Sequence, residues 1–287
     1  MKDIFLTMPE LPDLIYIQKH LHAHVAGRSI TRCDVKQPVV LRNTIDEPPA
    51  QLLAGRTLAR FDLHGPFIAI QLSPPLEIII NLMLAGKLQH QLAGERPEGY
   101  LCFSLELSDR SRLNICDEQK MVKVYIVPAG EHRRIPRYTQ QGIDILSPEF
   151  TAERFRQIAA NHRRKQVRVF INDHTIVSAI GNAYADEILF EARIHPKTFV
   201  ARLTNDQIDG LYNAIRSMIA WGIAEVEKAK KPIQTKVREH MRVRNRKGEP
   251  CPRCGTTIRR EGVRGHDVFF CPLCQPPTRE LFLDWRH

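Results

Sequence analysis

Long apolar runs are missing from this chain of 287 residues. No stretch approaches the roughly 20 residues that a membrane-spanning helix requires, so no membrane partner is expected. The opening MKDIFLT has neither a long apolar core nor a small-residue cleavage site, which argues against a secretory leader and for a cytoplasmic protein. No internal repeat and no low-complexity tract is found. Acidic residues are in short supply, 32 against 42 lysines and arginines, giving a net charge of +10 and an isoelectric point near 9.4. A surplus of that size, if clustered, attracts polyanions, with nucleic acid the commonest.

The surplus is clustered. Between Lys228 and Lys247 lie Lys230, Lys231, Lys236, Arg238, Arg242, Arg244 and Arg246 against the single acid Glu239. This run reads equally as a nucleic-acid contact or as a solvated helix face with a linker. The cysteine count is seven, an odd number. Cys33, Cys102 and Cys116 lie in apolar, strand-like segments where a reduced thiol packs as a small hydrophobe.

Periodicity divides the chain. After Pro12, Leu14, Ile17, Leu21 and Val25 recur at helical spacing and Gly27 stands where a helix ends. His20 and His24 sit four apart on that helix, and with no carboxylate or thiolate placed to complete a metal site they read as a solvated flank. From Ile30 to Val127 the pattern shortens to TLARFDL, FIAIQL, EIIINLML, YLCFSLEL, RLNIC and VKVYIV, a β-sandwich or barrel. Helical spacing returns with ERFRQIAANHRRK, for which Ser147-Pro148 is the expected cap and first turn. A further helix is expected from Thr204, boxed by Gln207, to about Lys228, with Ile208, Leu211, Ile215, Met218 and Ile219 as its apolar stripe.

CPRC and CPLC, sixteen residues apart, form C-x2-C-x16-C-x2-C. Two such knuckles at the ends of a β-hairpin bring Cys251, Cys254, Cys271 and Cys274 to one tetrahedral zinc ion. Four thiolates leave no open position, so the ion is structural. The hairpin between them carries Arg259, Arg260, Arg264 and His266 on a module too small for a core of its own, a basic finger suited to phosphates or a groove.

Three segments in order resemble one family, the formamidopyrimidine-DNA glycosylase and endonuclease VIII proteins. They are MPELPD at Met8 to Asp13, IGNAYADEILFEARIHP at Ile180 to Pro196, which looks like that family's helix–two-turn–helix, and RNRKGEPCPRCG running into FFCPLCQ. The resemblance implies an α+β, multi-domain chain: an N-terminal catalytic β-sandwich with a leading helix over residues 8 to 130, a helix–two-turn–helix domain over 147 to 240 and a zinc hairpin over 245 to 277. It implies a DNA glycosylase with abasic-site lyase activity in base excision repair, a monomer at the nucleoid acting on damaged DNA with one zinc ion. Pro9 becomes the nucleophile and Glu10 the acid/base. Asn182, Arg246, Arg264 and His266 become DNA contacts, the first two to phosphate, with a helix cap the other reading of Asn182 and a solvated linker arginine that of Arg246.

The chemistry has a physical basis. An α-amino group, with a pKa of about 7.7 to 8.0, is unprotonated at neutral pH far more often than a lysine at about 10.4, and a terminal proline can form an iminium. Inside a peptide bond the proline nitrogen is an amide and cannot attack. The expectation is therefore that translation starts at Met8 and that this methionine is removed, leaving residues 1 to 7 outside the active protein. Other positions depart from the family pattern. Pro66 stands where the family has a phosphate-contacting lysine, a role that is either unfilled or moved to Lys87. Leu84 replaces an intercalating methionine, and Gln119 and Met121 stand where an arginine and a phenylalanine fill the duplex. His266 replaces an arginine, with Arg264 two positions away. An alternative consistent with these losses is a catalytically weakened relative that binds abasic or distorted DNA without cutting it.

Overall fold

The computed structural model describes residues 8–73 and 75–277. Two compact units divide the chain: 1–140 with Val226–Val237, and 141–225 with Arg238 onward.

The first unit opens with α1 (Leu11–His24), followed by β1 (Ile30–Val35), β2 (Leu41–Asn43), the short α2 (Pro49–Leu53), β3 (Thr57–His64), β4 (Phe67–Ser73), β5 (Leu76–Asn81), β6 (Lys87–Gln91), β7 (Leu101–Leu107), β8 (Arg112–Cys116) and β9 (Lys123–Pro128). The strands form a four-stranded sheet ordered β1-β7-β8-β6 and a five-stranded sheet ordered β2-β9-β5-β4-β3. Pairing is antiparallel except between β2 and β9. Register places Phe61, Ile70, Ile78 and Ile126 in one row across the larger sheet, facing the main core. Both sheets and α1 contribute to that core, so the expected sandwich with a leading helix is what forms. The alternate residues Phe67, Ala69, Ile79, Tyr125 and Val127 are buried on the other face against Ile135 and Tyr138. A strand covered on both sides has no polar face, which explains the unbroken isoleucines of EIIIN.

Two N-terminal readings are corrected here. EIIINLML is not all strand: β5 ends at Asn81, and Leu82–Gly86 turns, with Met83 at φ 53° and the Asn81 side-chain oxygen accepting from Met83 N–H at 3.0 Å. His20 is not simply solvated. His24 is exposed, but His20 is half-buried and its Nε2 lies 3.0 Å from Nδ1 of His90 on β6. Burial, then the neighbouring His24 and His90, brings His20 down to about 4, so the ring is neutral at neutral pH.

The second unit holds α3 (Ala152–Asn161), α4 (Val167–Ile171), α5 (Asn182–Glu191), most of α6 (Asn205–Ala229) and the hairpin β10 (Arg259–Val263) and β11 (His266–Phe270). Thr151, not Ser147, caps α3, its hydroxyl accepting from Arg154 N–H at 3.1 Å. Pro148 instead falls in a turn closed by Phe150 N–H on Ser147 O. The expected box on α6 is present in both directions, Thr204 N–H to Gln207 Oε1 and Gln207 N–H to Thr204 Oγ1, at 3.0 and 3.2 Å.

Helix α5 carries two adjacent buried acids. Asp186 accepts from Arg168 Nε at 2.9 Å, Arg244 Nη1 at 2.8 Å and the Phe269 amide at 3.3 Å. Glu187 accepts from the amides of Arg242, Val243 and Arg244 at 2.9 to 3.1 Å. Arg244 reaches on to Asp267 O at 2.8 Å. Two carboxylates thus seat both the segment leading into the hairpin and strand β11 on one helix. The basic run of Lys228 to Lys247 is accordingly divided: Lys228, Lys230, Lys231 and Lys247 face solvent, whereas Arg244 is buried in this network and Arg242 covers the Trp221 ring at 4.7 Å.

Removing one member of a buried ion network leaves the others charged and desolvated, at a cost of about 3–5 kcal/mol. Asp186→Ala strands Arg168 and Arg244, which are 3% and 7% exposed. Denaturant unfolding followed in the helical unit should register a loss of that order, and a loss under ~1 kcal/mol would show the network to be dispensable.

Candidate functional site

Pro9 and Glu10 lie at the start of α1, with Glu10 as its N-cap. Leu11 and Pro12 begin the helix, and Asp13 at the third position completes a reciprocal box: the Glu10 amide donates to Asp13 Oδ2 at 2.8 Å and the Glu10 side chain accepts from the Asp13 amide. Glu10 and Asp13 are both buried. The dipeptide is therefore fixed relative to the helix, with Pro9 beside the positive end of the α1 dipole.

Pro9, Asp13, Gly86, Lys87, Thr235 and Lys236 line one cleft within the first unit. Gly86 closes the turn after β5, its amide donating to Leu82 O at 2.9 Å; a Cβ there would lie 2.4 Å from that same oxygen, so the close approach needs glycine. Leu84 rides on this turn, 38% exposed, with its carbonyl accepting from Lys236 Nζ at 3.3 Å. Pro66 lies in the tight turn between β3 and β4. Gln119 and Met121 belong to the β8–β9 loop, which is held by buried Asp117, whose carboxylate accepts from the amides of Gln119, Met121 and Val122 at 2.8 Å. The loop directs Gln119 and Lys120 to solvent.

In the second unit Gly181 is the N-cap of α5 and Asn182 its first residue. The Asn182 side-chain oxygen accepts from Arg168 Nη2 at 2.9 Å, which leaves its amide hydrogens to donate to an acceptor such as phosphate. Arg168, Asn172, Arg264 and His266 border a cleft of about 220 Å3. Arg264 and Gly265 form the hairpin tip at φ 48° and 80°, a two-residue turn that pushes Arg264 and His266 outward. Arg246 is elsewhere: its guanidinium donates to Met241 O, Glu239 O and Glu249, bracing the loop before the hairpin.

The four cysteine sulfurs all lie within 4.8 Å of one another, with Cys251 to Cys274 at 3.9 Å and Cys254 to Cys271 and Cys274 at 3.5 Å. Sulfurs held about 2.3 Å from a tetrahedral zinc are about 3.8 Å apart, so the donor set fits one zinc ion. Amides of Arg253 and Cys274 point at Cys251 and Cys271 sulfurs at 3.4 Å, the polarity a thiolate needs. The finger does have a small core, but a shared one: Ile258, Phe269, Cys251 and Cys271 pack with Val243 and with Phe190 of α5. Cys33, Cys102 and Cys116 are buried and form no disulfide, as expected.

Several site residues went unread in the sequence. Asp13 was within reach, since Glu10-x-x-Asp13 has capping-box spacing. Lys236, Arg168 and Asn172 were not, because only the fold carries them to the clefts.

A two-sheet unit led by a capped Pro-Glu helix, a helical unit and a four-cysteine hairpin together define a zinc-braced helix–two-turn–helix protein. The description "Formamidopyrimidine-DNA glycosylase N-terminal domain" matches residues 8–124, its "H2TH domain" residues 141–234, and "Zinc finger found in FPG and IleRS" residues 248–277. Formamidopyrimidine-DNA glycosylase of Chloroflexus aurantiacus is 30% identical over 275 residues, 93% of this chain and 98% of its own. The crystal structure of MutM (Fpg) from Thermus thermophilus matches with a TM-score of 0.80 at 26% identity, over 93% of this chain and 98% of that one. The Lactococcus lactis Fpg in complex with abasic-site DNA shares the fold, with a TM-score of 0.85 at 22% identity over 94% of this chain and 100% of that one. The chain belongs to the formamidopyrimidine-DNA glycosylase family.

The hairpin depends on its metal. Metal analysis should find one zinc per four-cysteine cluster. Cys271→Ser should lose that zinc and the hydrogen-exchange protection of β10 and β11, while β4 and β5 keep theirs; retained protection in the hairpin would overturn the structural role.

Proposed function

We propose that this chain is a bifunctional DNA glycosylase and abasic-site lyase of base excision repair that works through Pro9 and Glu10. The observation carrying the reading is the reciprocal box that fixes Pro-Glu at the head of α1, in a cleft shared with Lys87 and Lys236. The family's enzymes bear the name formamidopyrimidine-DNA glycosylase, and the Lactococcus relative of the same fold is bound to an abasic site.

In this reading the free Pro9 nitrogen attacks C1′ of the damaged nucleotide and the base departs with the bonding electrons and a proton. Glu10 protonates the ring oxygen as the sugar opens to an iminium. The iminium acidifies the neighbouring C2′–H, and proton loss there expels the 3′ phosphate. Lys87 and Lys236 supply positive charge beside the reacting sugar. Leu84, exposed on its glycine-closed turn, is the apolar wedge that fills the space of an extruded nucleotide. Asn182, Arg264 and His266 engage the phosphate backbone, and Arg246 acts by holding the loop that leads to the hairpin. The protein acts as a monomer on nucleoid DNA. The mechanism requires a Pro9 free of the Met8–Pro9 peptide bond; residues 1 to 7 lie outside the described residues.

Borohydride reduction of the protein on abasic DNA tests this directly. A chain beginning at Pro9 should form a covalent adduct, and Pro9→Gly with a blocked terminus should abolish it. Glu10→Gln should retain DNA binding within about threefold while losing base release by at least 100-fold, in keeping with the usual range for general acid–base groups. Binding of abasic DNA with no adduct from a Pro9-terminated sample would instead establish a non-cutting DNA-binding protein.

A further inference from the structure

Away from the cleft, the far end of α1 meets β6 in a group of three imidazoles. His20 Nε2 stands 3.0 Å from His90 Nδ1. The His20 and His24 rings are 4.5 Å apart, and those of His24 and His90 6.4 Å, with the His20 to His90 distance 5.2 Å. His22, on the same helix, is turned elsewhere, its Nε2 at the Phe61 carbonyl.

We propose that His20, His24 and His90 form a second metal site, for a divalent transition ion that favours imidazole, such as zinc, nickel or cobalt. Two nitrogens bound to one such ion at about 2.0–2.1 Å lie about 2.9–3.4 Å apart, from a right angle to a tetrahedral one. His20 and His90 already have that separation, so an ion can replace the hydrogen between them, with that proton passing to the other nitrogen of His20. Histidines four apart on one helix face supply the two-toothed arrangement that helical zinc sites use. His24 is exposed, with its ring centre 6.4 Å from that of His90, and completing the site requires its side chain to turn a nitrogen toward the other two. The remaining His90 atom, Nε2, is buried with no hydrogen-bond partner among the described residues, so the ring has no competing bond to give up there. Besides His24, the charged groups that act on His90 are Asp109, Glu95 and Arg28; Arg28 is paired with Asp109 at 3.2 Å, so these three side chains leave one net negative charge. Imidazole donors distinguish this site from the all-thiolate hairpin, which selects by softer ligands.

The site would join two elements that meet again at the other end. Pro9 precedes α1 and Lys87 opens β6, and both line the same cleft. An ion at His20, His24 and His90 would therefore clamp the helix carrying the proline to the strand carrying the lysine, from a place that touches neither.

The test is calorimetric titration of Co2+ into the full chain with its hairpin already loaded with zinc, alongside the visible spectrum. We expect one further equivalent to bind with no thiolate-to-metal charge-transfer band. His24→Gln, at an exposed position, and His90→Gln should each weaken it at least tenfold with hairpin zinc content unchanged. Absence of saturable binding, binding unaltered by His24→Gln, or a thiolate charge-transfer band would each overturn the proposal.

Discussion

The two neighbouring acids of α5, Asp186 and Glu187, are the constraint on which the helical unit depends. A carboxylate buried in a protein interior is costly unless its acceptor sites are filled, and here the filling groups come from α4, the segment 242–244 and strand β11. Asp186 engages Arg168, which in turn holds the Asn182 oxygen, and it also engages Arg244 and the Phe269 amide. Burial holds the Glu187 carboxyl above the usual carboxylate range, with the three amides of residues 242–244 opposing that shift in part. Both acids are buried and act only through the groups they hold. They set the register between the first turn of α5, an arginine-rich segment and a metal hairpin.

Zinc complements that network. Four thiolates fix the ends of the hairpin, and Asp186, through the Phe269 amide, and Arg244, through Asp267 O, tie β11 to α5, so the tip with Arg264 and His266 is supported at its base by coordination and along one strand by hydrogen bonds. In the other unit the same division holds on a smaller scale. Asp13 holds Glu10, Gly86 permits the tight turn beneath Leu84, and Asp117 gathers three amides into the loop bearing Gln119. In each case a residue acting through hydrogen bonds or through its missing side chain determines where its neighbours sit.

What the sequence revealed follows the range of the signal. Local chemistry was legible: the cysteine spacing, the Thr204 and Gln207 box, the strand lengths and the leading helix are each encoded within a few residues. Thr151 displaced Ser147 as a cap because Asp144, Ile145 and the turn at Pro148 extend the loop, a choice between two good caps that pattern alone leaves undecided. The basic run was ambiguous because charge is visible in sequence and pairing is not: Arg244 meets its acid 58 positions away. The place of Lys236 in the cleft and the role of His90 were missed for the same reason, since Leu84 on its turn and His20 on α1 lie 152 and 70 positions away. Family likeness supplied Pro9, Glu10 and Asn182, which no spacing argument singles out.

One topological detail has a practical meaning. Residues 226–237 return to the first unit after the chain has built most of the second, and Ile233 is buried in the sandwich core. No single scission separates the two bodies. A fragment ending at the first boundary would lack a piece of its own interior, so dissection of the chain into working modules calls for a permuted or stitched design, and limited proteolysis near residue 140 should yield a nicked pair that stays together.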